Sequence, residues 1–275
     1  MLKFIRWGSF TACNYSSESF LEIKMALEEG RLDGLVIWQS SSFSESDLNI
    51  LNKLPPLKML ALYGFSKSLD LSVVESINAL EELALDGKAA VVDFCLLPSL
   101  RRLYVEWWDG VFVNEGEANL IGLKVGKLST DDLAPLASFQ GLQELDLVQP
   151  KIKSLLGIEY FHGLRVLSVY AAKKLTDISG INDGIRELCI EQSGSIADYG
   201  PIASCKSIEV LRVHRSAAFK SLSFVSGLKQ LQSFRFMNTD VLDGDLSFLS
   251  GIPDVCFTQK KHFSHKLKDF ADKGV

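Results

Sequence analysis

A short pattern of apolar and polar positions returns along most of the chain. It has the form φxxφxφ, where φ is leucine or another apolar residue, and its copies begin at Leu32, Leu57, Leu80, Leu100, Leu120, Leu142, Leu164, Ile185, Ile208, Leu231 and, more weakly, Ile252. The fourth position moves from residue 35 to residue 255 in ten steps, so the mean period is 22 residues. A leucine pattern that returns every ~20–29 residues indicates stacked strand-and-turn units.

Each copy of the pattern predicts one short strand. Side chains alternate between the two faces of a strand, so positions 1, 4 and 6 are expected in a core and positions 3, 5 and 7 on an outward face. After each strand, apolar residues recur about every three positions among Ser, Asp, Gly and Pro, as at Leu133, Leu136 and Phe139. That spacing predicts short turns and 3₁₀ segments rather than long helices. No single unit can bury its apolar edge, so stability must come from stacking.

Over residues 32–258 the pattern resembles the leucine-rich-repeat family, and the segment from Leu175 to Ile181 is similar to the 22-residue repeat of bacterial internalins. This resemblance implies an α/β solenoid with a curved parallel β-sheet and mostly short turns or 3₁₀ segments on the convex side. The family usually places Asn or Cys at the ninth position. Here that position holds Phe65, Lys88, Trp108, Leu128, Pro150, Ala172, Ser193, Ser216 and Thr239. Without an asparagine ladder, we expect irregular turns.

The pattern divides the chain into three parts. Residues 1–31 are predicted to form an N-terminal cap, with a strand over 2–7 and an amphipathic helix over 16–29 that Gly30 ends. Residues 32–258 form the solenoid of about 11 units, with a further short helix expected over 47–54. Residues 259–275 are polar and basic, and are expected to form a cap or tail.

Composition and charge indicate the cellular compartment of the protein and the class of partner that it binds. The 275 residues carry a formal charge of −5 with a pI near 5.5, which disfavours a nucleic-acid partner, because such proteins need a basic footprint. Five cysteines form no CxxC pair, as is typical of a reducing compartment. No apolar run approaches the roughly 18 residues of a membrane span. We therefore expect a cytoplasmic protein that does not engage a membrane, and the resemblance to bacterial internalins implies a bacterial origin.

Residues that could support catalysis are few. The sequence has no GxGxxG, GxxxxGK[ST], GxSxG or HExxH motif. His262 and His265 have HxxH spacing but no further ligand at metal spacing. Asp131 and Asp132 form a carboxylate pair where a turn begins and are expected to cap it. We expect no enzyme activity, no cofactor and no metal ion.

The outward strand positions carry the most information about function. They fall into an aromatic zone, then an acidic zone, then a basic zone along the chain. The residues predicted to contact a partner are Trp38, Tyr63, Glu82, Asp86, Tyr104, Glu106, Trp107, Glu144, Asp146, Tyr170, Glu187, Glu191, Arg212, His214 and Arg235. Solubility alone could account for the polar residues, but aromatic side chains are enriched at binding hot spots. An acidic centre favours a protein partner with a basic patch.

These observations favour a non-enzymatic scaffold that binds a protein on its concave sheet. A narrower hypothesis is an immunity protein that neutralises a toxin by covering a basic active site. Two alternatives stay open, namely an effector or adaptor that recruits a target and a structural subunit of a larger assembly. The sequence leaves the oligomeric state undetermined.

Overall fold

The computed structural model describes residues 2–39, 45–65, 70–86, 93–108 and 119–270. Its thirteen β-strands follow one another in the sheet in the order of the sequence. Their bounds are β1 Phe4–Trp7, β2 Phe10–Asn14, β3 Gly34–Trp38, β4 Met59–Tyr63, β5 Glu82–Leu85, β6 Arg102–Glu106, β7 Gly122–Gly126, β8 Glu144–Val148, β9 Val166–Tyr170, β10 Glu187–Glu191, β11 Val210–His214, β12 Ser233–Phe236 and β13 Asp254–Phe257. Each strand from β3 onward lies on one copy of the apolar pattern.

The connections between strands are mainly short 3₁₀ segments. Within the described residues the α-helices are α1 over Phe20–Glu28 and α2 over Ser72–Glu75, and the 3₁₀ segments are Ser17–Ser19, Glu45–Lys53, Phe94–Leu96, Ala134–Leu136, Ile158–Tyr160, Gly200–Ser204, Ser223–Gly227, Ser247–Leu249 and Leu267–Asp269. Strands that run parallel in sequence order, joined by such segments, are the leucine-rich-repeat fold, and that prediction is confirmed. None of the helices within the described ranges is long and apolar enough to span a bilayer.

The chain forms two compact units, Met1–Lys124 and Val125–Val275. In the first unit, helix α1 lies near the start and buries Ile23, Ala26 and Leu27. Gly30, at φ 67°, ends the helix, and the following Arg31 N–H donates to the Ala26 carbonyl at 2.9 Å. The predicted helix over 16–29 is therefore present as a 3₁₀ turn followed by α1.

The first unit also contains a β-hairpin that the apolar pattern did not predict in full. Strand β1 lies in the predicted segment, but β2 was not expected. The two pair antiparallel, with Ile5 opposite Ala12 and Trp7 opposite Phe10. Strand β2 then pairs parallel with β3, so that Ala12 lies beside Gly34 and Cys13 beside Leu35. Because residues opposite one another share a face, this register places the side chains of Ile5, Trp7, Phe10 and Ala12 on the outward face.

The second unit contains six strands, β8–β13, in unbroken parallel register. At the fourth position of their units, Leu145, Leu167, Leu188, Leu211, Phe234 and Val255 lie side by side. All but Val255 are essentially inaccessible to solvent. In β9, β10 and β11 buried and half-buried residues alternate along the strand, as the apolar pattern requires.

The turns that follow strands β7 to β12 are regular, which corrects the expectation of irregular turns. The residue after the seventh position adopts left-handed backbone in six successive coils, at Lys127, Gln149, Ala171, Gln192, Arg215 and Asn238, with φ between 49° and 57°. In five of them its N–H donates to the seventh-position carbonyl of the next coil, at 2.7–2.9 Å, as from Gln149 to Tyr170. The backbone itself therefore joins neighbouring coils here.

Hydroxyl groups at the ninth position replace the missing asparagines in the last coils. Ser193, Ser216 and Thr239 accept hydrogen bonds from the N–H groups of Ala172, Ser193 and Ser216, each at 3.2 Å. The same hydroxyls donate to carbonyls at the carboxyl ends of strands, from Ser193 to Glu191 at 3.1 Å and from Thr239 to Val213 at 3.0 Å. Each hydroxyl thus both accepts a hydrogen bond from backbone and donates one to backbone, as an asparagine amide can.

Phenylalanine side chains fill the end of the second unit. Phe219, Phe234 and Phe236 are fully buried, with ring centroids 5.1–5.9 Å apart. The segment over 259–270 packs on this end, where Phe263 and Phe270 contact the Phe257 ring at 5.8 and 6.1 Å. Polar contacts hold the same segment, since Lys260 pairs with Asp240 at 2.7 Å and the Ser264 N–H donates to the Gly244 carbonyl at 2.8 Å.

Candidate binding face

The strand registers place the predicted contact residues in rows on the outward face. Thirteen of the fifteen lie on strands, while Asp86 and Trp107 directly follow β5 and β6. In the second unit the middle row runs from Asp146 through Ser168, Cys189 and Arg212 to Arg235. Neighbouring strands lie about 4.8 Å apart, so side chains in a row contact one another.

In the first unit much of the outward face is covered by the N-terminal hairpin. Ala12, Val36, Met59, Ala61 and Ala84 form a small apolar cluster, and each is at most 3% exposed. The partly buried side chains that pack against this cluster are Ile5, Trp7, Phe10, Tyr63 and Tyr104. The sequence predicted an open surface of small and aromatic residues here. The structure instead shows a second core between the hairpin and strands β3–β5.

Glu82 is a buried part of this second core and not an exposed contact residue. Its carboxylate is 5% exposed and accepts the indole N–H of Trp7. Burial raises the pKa of Glu82, against the hydrogen bond from Trp7, the positive charge of Arg102 and a hydrogen bond from Tyr104. A buried carboxylate held by two donors stabilises a closed arrangement and is not available to a partner.

Beside the hairpin, an aromatic and acidic strip remains accessible. Trp38 is 55% exposed, and its ring packs on Tyr63 with centroids 4.8 Å apart. Tyr63 also contacts Trp7, with centroids 6.2 Å apart. On the next strand, Asp86 is exposed, and its Oδ1 accepts the Gly64 N–H at 2.8 Å. Burial, followed by the negative charges of Asp86 and Glu82, raises the pKa of Tyr63.

In the second unit the outward face has an acidic side and a basic side. Glu144 and Asp146 lie on β8, and Glu187 and Glu191 lie on β10. Between them, Tyr170 on β9 is half-buried, and its hydroxyl accepts a hydrogen bond from Gln192 at 3.0 Å. Arginines follow on β11 and β12.

Ion pairs between neighbouring coils link the two sides. Arg212 lies 3.7 Å from Glu187, and Arg215 lies 2.8 Å from Glu191. Arg235 pairs with Asp254 at 2.8 Å, and hydrogen bonds from Arg235 and Ser233 lower the pKa of Asp254. Exposed ion pairs of this kind contribute little stability, about 0–1 kcal/mol each. Their effect on the face is to hold long side chains in defined positions.

His214 lies at the centre of the basic side in a defined tautomer. Its Nδ1 accepts the Met237 N–H at 3.0 Å, which leaves the proton of the neutral ring on Nε2. Burial lowers the pKa of His214; Glu191 opposes this shift, whereas Arg212, Arg215 and Arg235 add to it. The imidazole is therefore a neutral donor near pH 7 rather than a third positive charge.

Other residues singled out by the sequence have structural contacts. Asp132 accepts the Ala134 N–H at 3.0 Å, and Asp131 pairs with Lys153 at 3.0 Å. His262 contacts the Val241 carbonyl at 3.0 Å and Asp240 at 3.2 Å. Burial raises the pKa of the Cys189 thiol. Among the described residues no group of three or more His, Cys, Asp or Glu side chains could hold a metal ion.

The sequence matches no protein-family model and no curated protein. Among solved structures the chain is similar to internalin C2 of Listeria monocytogenes, with a TM-score of 0.47 and 15% identity over 78% of this chain and 84% of that one. It is also similar to the internalin InlF of Listeria monocytogenes, with a TM-score of 0.44 and 16% identity over 90% of this chain and 91% of that one. The fold assignment rests on the repeat and the parallel strands themselves.

Proposed function

We propose that the chain is a non-enzymatic scaffold that binds a protein partner on the outward strand face of its second unit. One observation carries this proposal. Strands β8–β12 present in-register rows of half-exposed side chains, with Glu144, Asp146, Glu187 and Glu191 toward one side and the arginines toward the other. Within the described ranges the apolar cluster that covers an outward face involves the first unit alone.

The charge pattern defines the partner that would fit. A basic patch on the partner would lie over Glu144 and Asp146, and acidic groups would lie over Arg212 and Arg235. Complementary charges of this kind speed association and fix the orientation of the complex. Tyr170, a rigid side chain with a polar tip between the two sides, is the expected aromatic anchor. The proposal keeps the cytoplasmic and bacterial setting expected from the sequence.

An immunity protein that neutralises a toxin is the narrower form of this proposal. The acidic side would cover the basic active site or substrate groove of the toxin and exclude its substrate. Under this form, the captured partner must be an enzyme, and its activity must fall in proportion to the fraction bound. A partner that remains fully active in the saturated complex points instead to an adaptor or effector that recruits a target.

The structural-subunit alternative makes a different prediction. A subunit of a larger assembly would occur in a fixed, constitutive oligomer, whereas a recognition scaffold forms its complex reversibly. Light scattering on the complex purified from its own cells, at several dilutions, distinguishes the two. A stoichiometry that does not change on dilution favours the assembly.

The test of the binding face compares two variants with the same change in net charge. The face variant is E144Q/D146N/E187Q. The control is D177N/D183N/D198N, in which each asparagine can still accept the backbone N–H that the aspartate accepts now. Proteins captured by the tagged chain from its own cells are identified by mass spectrometry, and the purified partner is then measured against both variants by surface plasmon resonance.

We expect the face variant to associate about tenfold more slowly at low salt, with a smaller difference at high salt, because steering by charge is screened. The control is expected to associate like the unmodified chain. Equal association rates for the two variants would place the partner elsewhere on the molecule.

A further inference from the structure

The exposed strip of the first unit combines an aromatic surface with a fixed carboxylate. Trp38, Tyr63 and Asp86 occupy the seventh position of three successive coils, and β3 and β4 pair Trp38 directly with Tyr63. Trp38 is more than half exposed, although it could have been replaced by a polar residue at no cost to a core. The two rings pack at an interplanar angle of 42°, and the exposed part of the indole offers an aromatic surface to a partner.

The carboxylate beside these rings is held in place by backbone. Asp86 Oδ1 accepts the N–H of Gly64, the residue after Tyr63. Gly64 has φ 78°, a left-handed conformation, and its N–H is directed toward the neighbouring coil for that reason. The Asp86 carboxylate is exposed and close enough to Tyr63 to raise the pKa of the phenol. It therefore has remaining acceptor capacity beside the ring surface.

We infer that Trp38, Tyr63 and Asp86 form a docking site for an arginine side chain of a protein partner. A guanidinium is planar and stacks on aromatic rings, and its N–H groups donate to a carboxylate at the same time. Glu106 on the next strand adds negative charge in the same row. This inference rests on the proposed protein recognition for the source of the arginine, but it concerns a different set of residues from the face of the second unit.

The site can be tested without knowledge of the partner. The probe is Nα-acetyl-arginine amide, added to the full chain labelled with ¹⁵N, and the readout is the set of indole N–H resonances of the four tryptophans in two-dimensional NMR. We expect the Trp38 resonance to shift with saturation, and the resonances of Trp107 and Trp108 to stay in place. The matched probe is the citrulline amide, which has the same shape without the charge.

Binding should require both the positive charge and the N–H donors of the guanidinium. The arginine amide is expected to bind about tenfold more tightly than the citrulline amide, and Asp86→Asn should weaken arginine binding by about tenfold because it removes a charge-assisted hydrogen bond. Asparagine can still accept the Gly64 N–H, so this variant preserves the backbone contact. Trp38→Leu, at an exposed position, removes the indole reporter, and it should abolish saturable shifts of the backbone amide resonances of Gly64 and Asp86. Asp198→Asn in the second unit, a control position away from both proposed sites, should leave the affinity unchanged.

Three results would overturn the inference. These are equal affinities for arginine and citrulline amides, an Asp86→Asn variant that binds arginine as before, and equal binding of tetramethylammonium, which has the charge but no donors. The outcome is separable from that of the larger proposal. Arginine binding can fail while E144Q/D146N/E187Q still slows association with the partner. Conversely, arginine can bind while E144Q/D146N/E187Q associates with the partner at an unchanged rate.

Discussion

The hydroxyls of Ser193, Ser216 and Thr239 show how a ninth-position side chain smaller than asparagine can join coils. Ser193 is completely buried, and its hydroxyl makes both a donor and an acceptor contact with backbone. The hydroxyl lies within hydrogen-bond distance of backbone groups in two neighbouring coils, at Ala172 and at Glu191. Because buried backbone N–H groups must be paired, the ladder fixes the turn although its chemistry departs from the family.

Removal of one hydroxyl should therefore cost measurable stability. Ser193→Ala leaves the Ala172 N–H without its acceptor, and we expect the free energy of unfolding to fall by about 1–3 kcal/mol. Ser226→Ala, at an exposed position in a 3₁₀ segment, is the matched control and should change it by less than about 0.5 kcal/mol. Urea unfolding measures both, and hydrogen exchange at Ala172 should accelerate only in Ser193→Ala. Unchanged exchange at Ala172 would mean that the ladder contributes nothing.

Glu82 gives the first unit a distinct dependence on pH. Because its pKa is raised in the folded chain, the folded state binds the proton more readily than the unfolded state above the ordinary value of 4.5. The Glu82 contribution to stability is thus present at low pH and is lost as the pH rises through the raised pKa. We expect Glu82→Gln to abolish that decline, while the neighbouring Glu81→Gln retains it. Urea unfolding of the unmodified chain and of the two variants from pH 4 to 8 gives the free energy of unfolding at each pH. If this free energy depends on pH in the same way for all three proteins, the assignment of the decline to Glu82 is wrong.

At the scale of elements, the strands were predictable and the hairpin was not. Strands β3–β13 follow from leucines that must be buried every 22 residues on average. Strand β2, which lies between β1 and β3 in the sheet, has no φxxφxφ unit and therefore could not be predicted from the repeat. A signal was nevertheless present at outward positions, where Val36, Met59, Ala61 and Ala84 are apolar. Such a run on an outward face indicates that another part of the chain covers it.

The strand positions of the predicted contact residues follow from the sequence, but the surroundings of their side chains do not. Alternation along each strand placed Glu82 and Glu144 alike on the outward face, and the structure buries the first and exposes the second. The difference comes from Trp7, which is distant in sequence and carries no repeat signal. Likewise, the pairing of Arg215 with Glu191 depends on the left-handed turn, which the residue types did not reveal.

The hairpin should stabilise the first unit mainly through Trp7. Its ring packs on the apolar cluster, and its N–H satisfies a buried carboxylate. We expect Trp7→Ala to lower the free energy of unfolding by about 2–4 kcal/mol, since it loses both packing and the donor. Trp7→Phe, which keeps a ring but no donor, should cost less, and Phe4→Ala, exposed on the same strand, should cost little. If Trp7→Ala unfolds at the same urea concentration as the unmodified chain, the hairpin is not part of the cooperative core.

At the scale of the whole molecule, stability in a repeat protein is a sum of contacts between neighbouring coils, so the last coil needs a cover. In the second unit that cover is the segment over 259–270. Phe263 is 8% exposed and packs against Phe257 of the last strand. The basic residues of this segment made it resemble a solvated tail in the sequence, whereas its phenylalanines are the residues that bind it to the repeats.

Truncation of the Phe263 side chain tests whether the segment over 259–270 stabilises the last coil. Phe263→Ala is expected to lower the free energy of unfolding by about 3–4 kcal/mol and to speed hydrogen exchange in β13 before β9–β11. Phe263→Leu should retain most of the stability. If hydrogen exchange accelerates equally in all strands of the second unit, the last coil unfolds only together with the other coils.

The strand registers of the second unit determine how its outward face can be lengthened. Glu187, Val210 and Ser233 are direct neighbours although 23 residues separate each from the next. A tandem duplication of one such 23-residue unit would therefore lengthen the surface by one strand while every existing neighbour pair on either side was preserved. Growth by whole coils, rather than by loop insertion, is the route by which this architecture can acquire new recognition area without refolding what it already has.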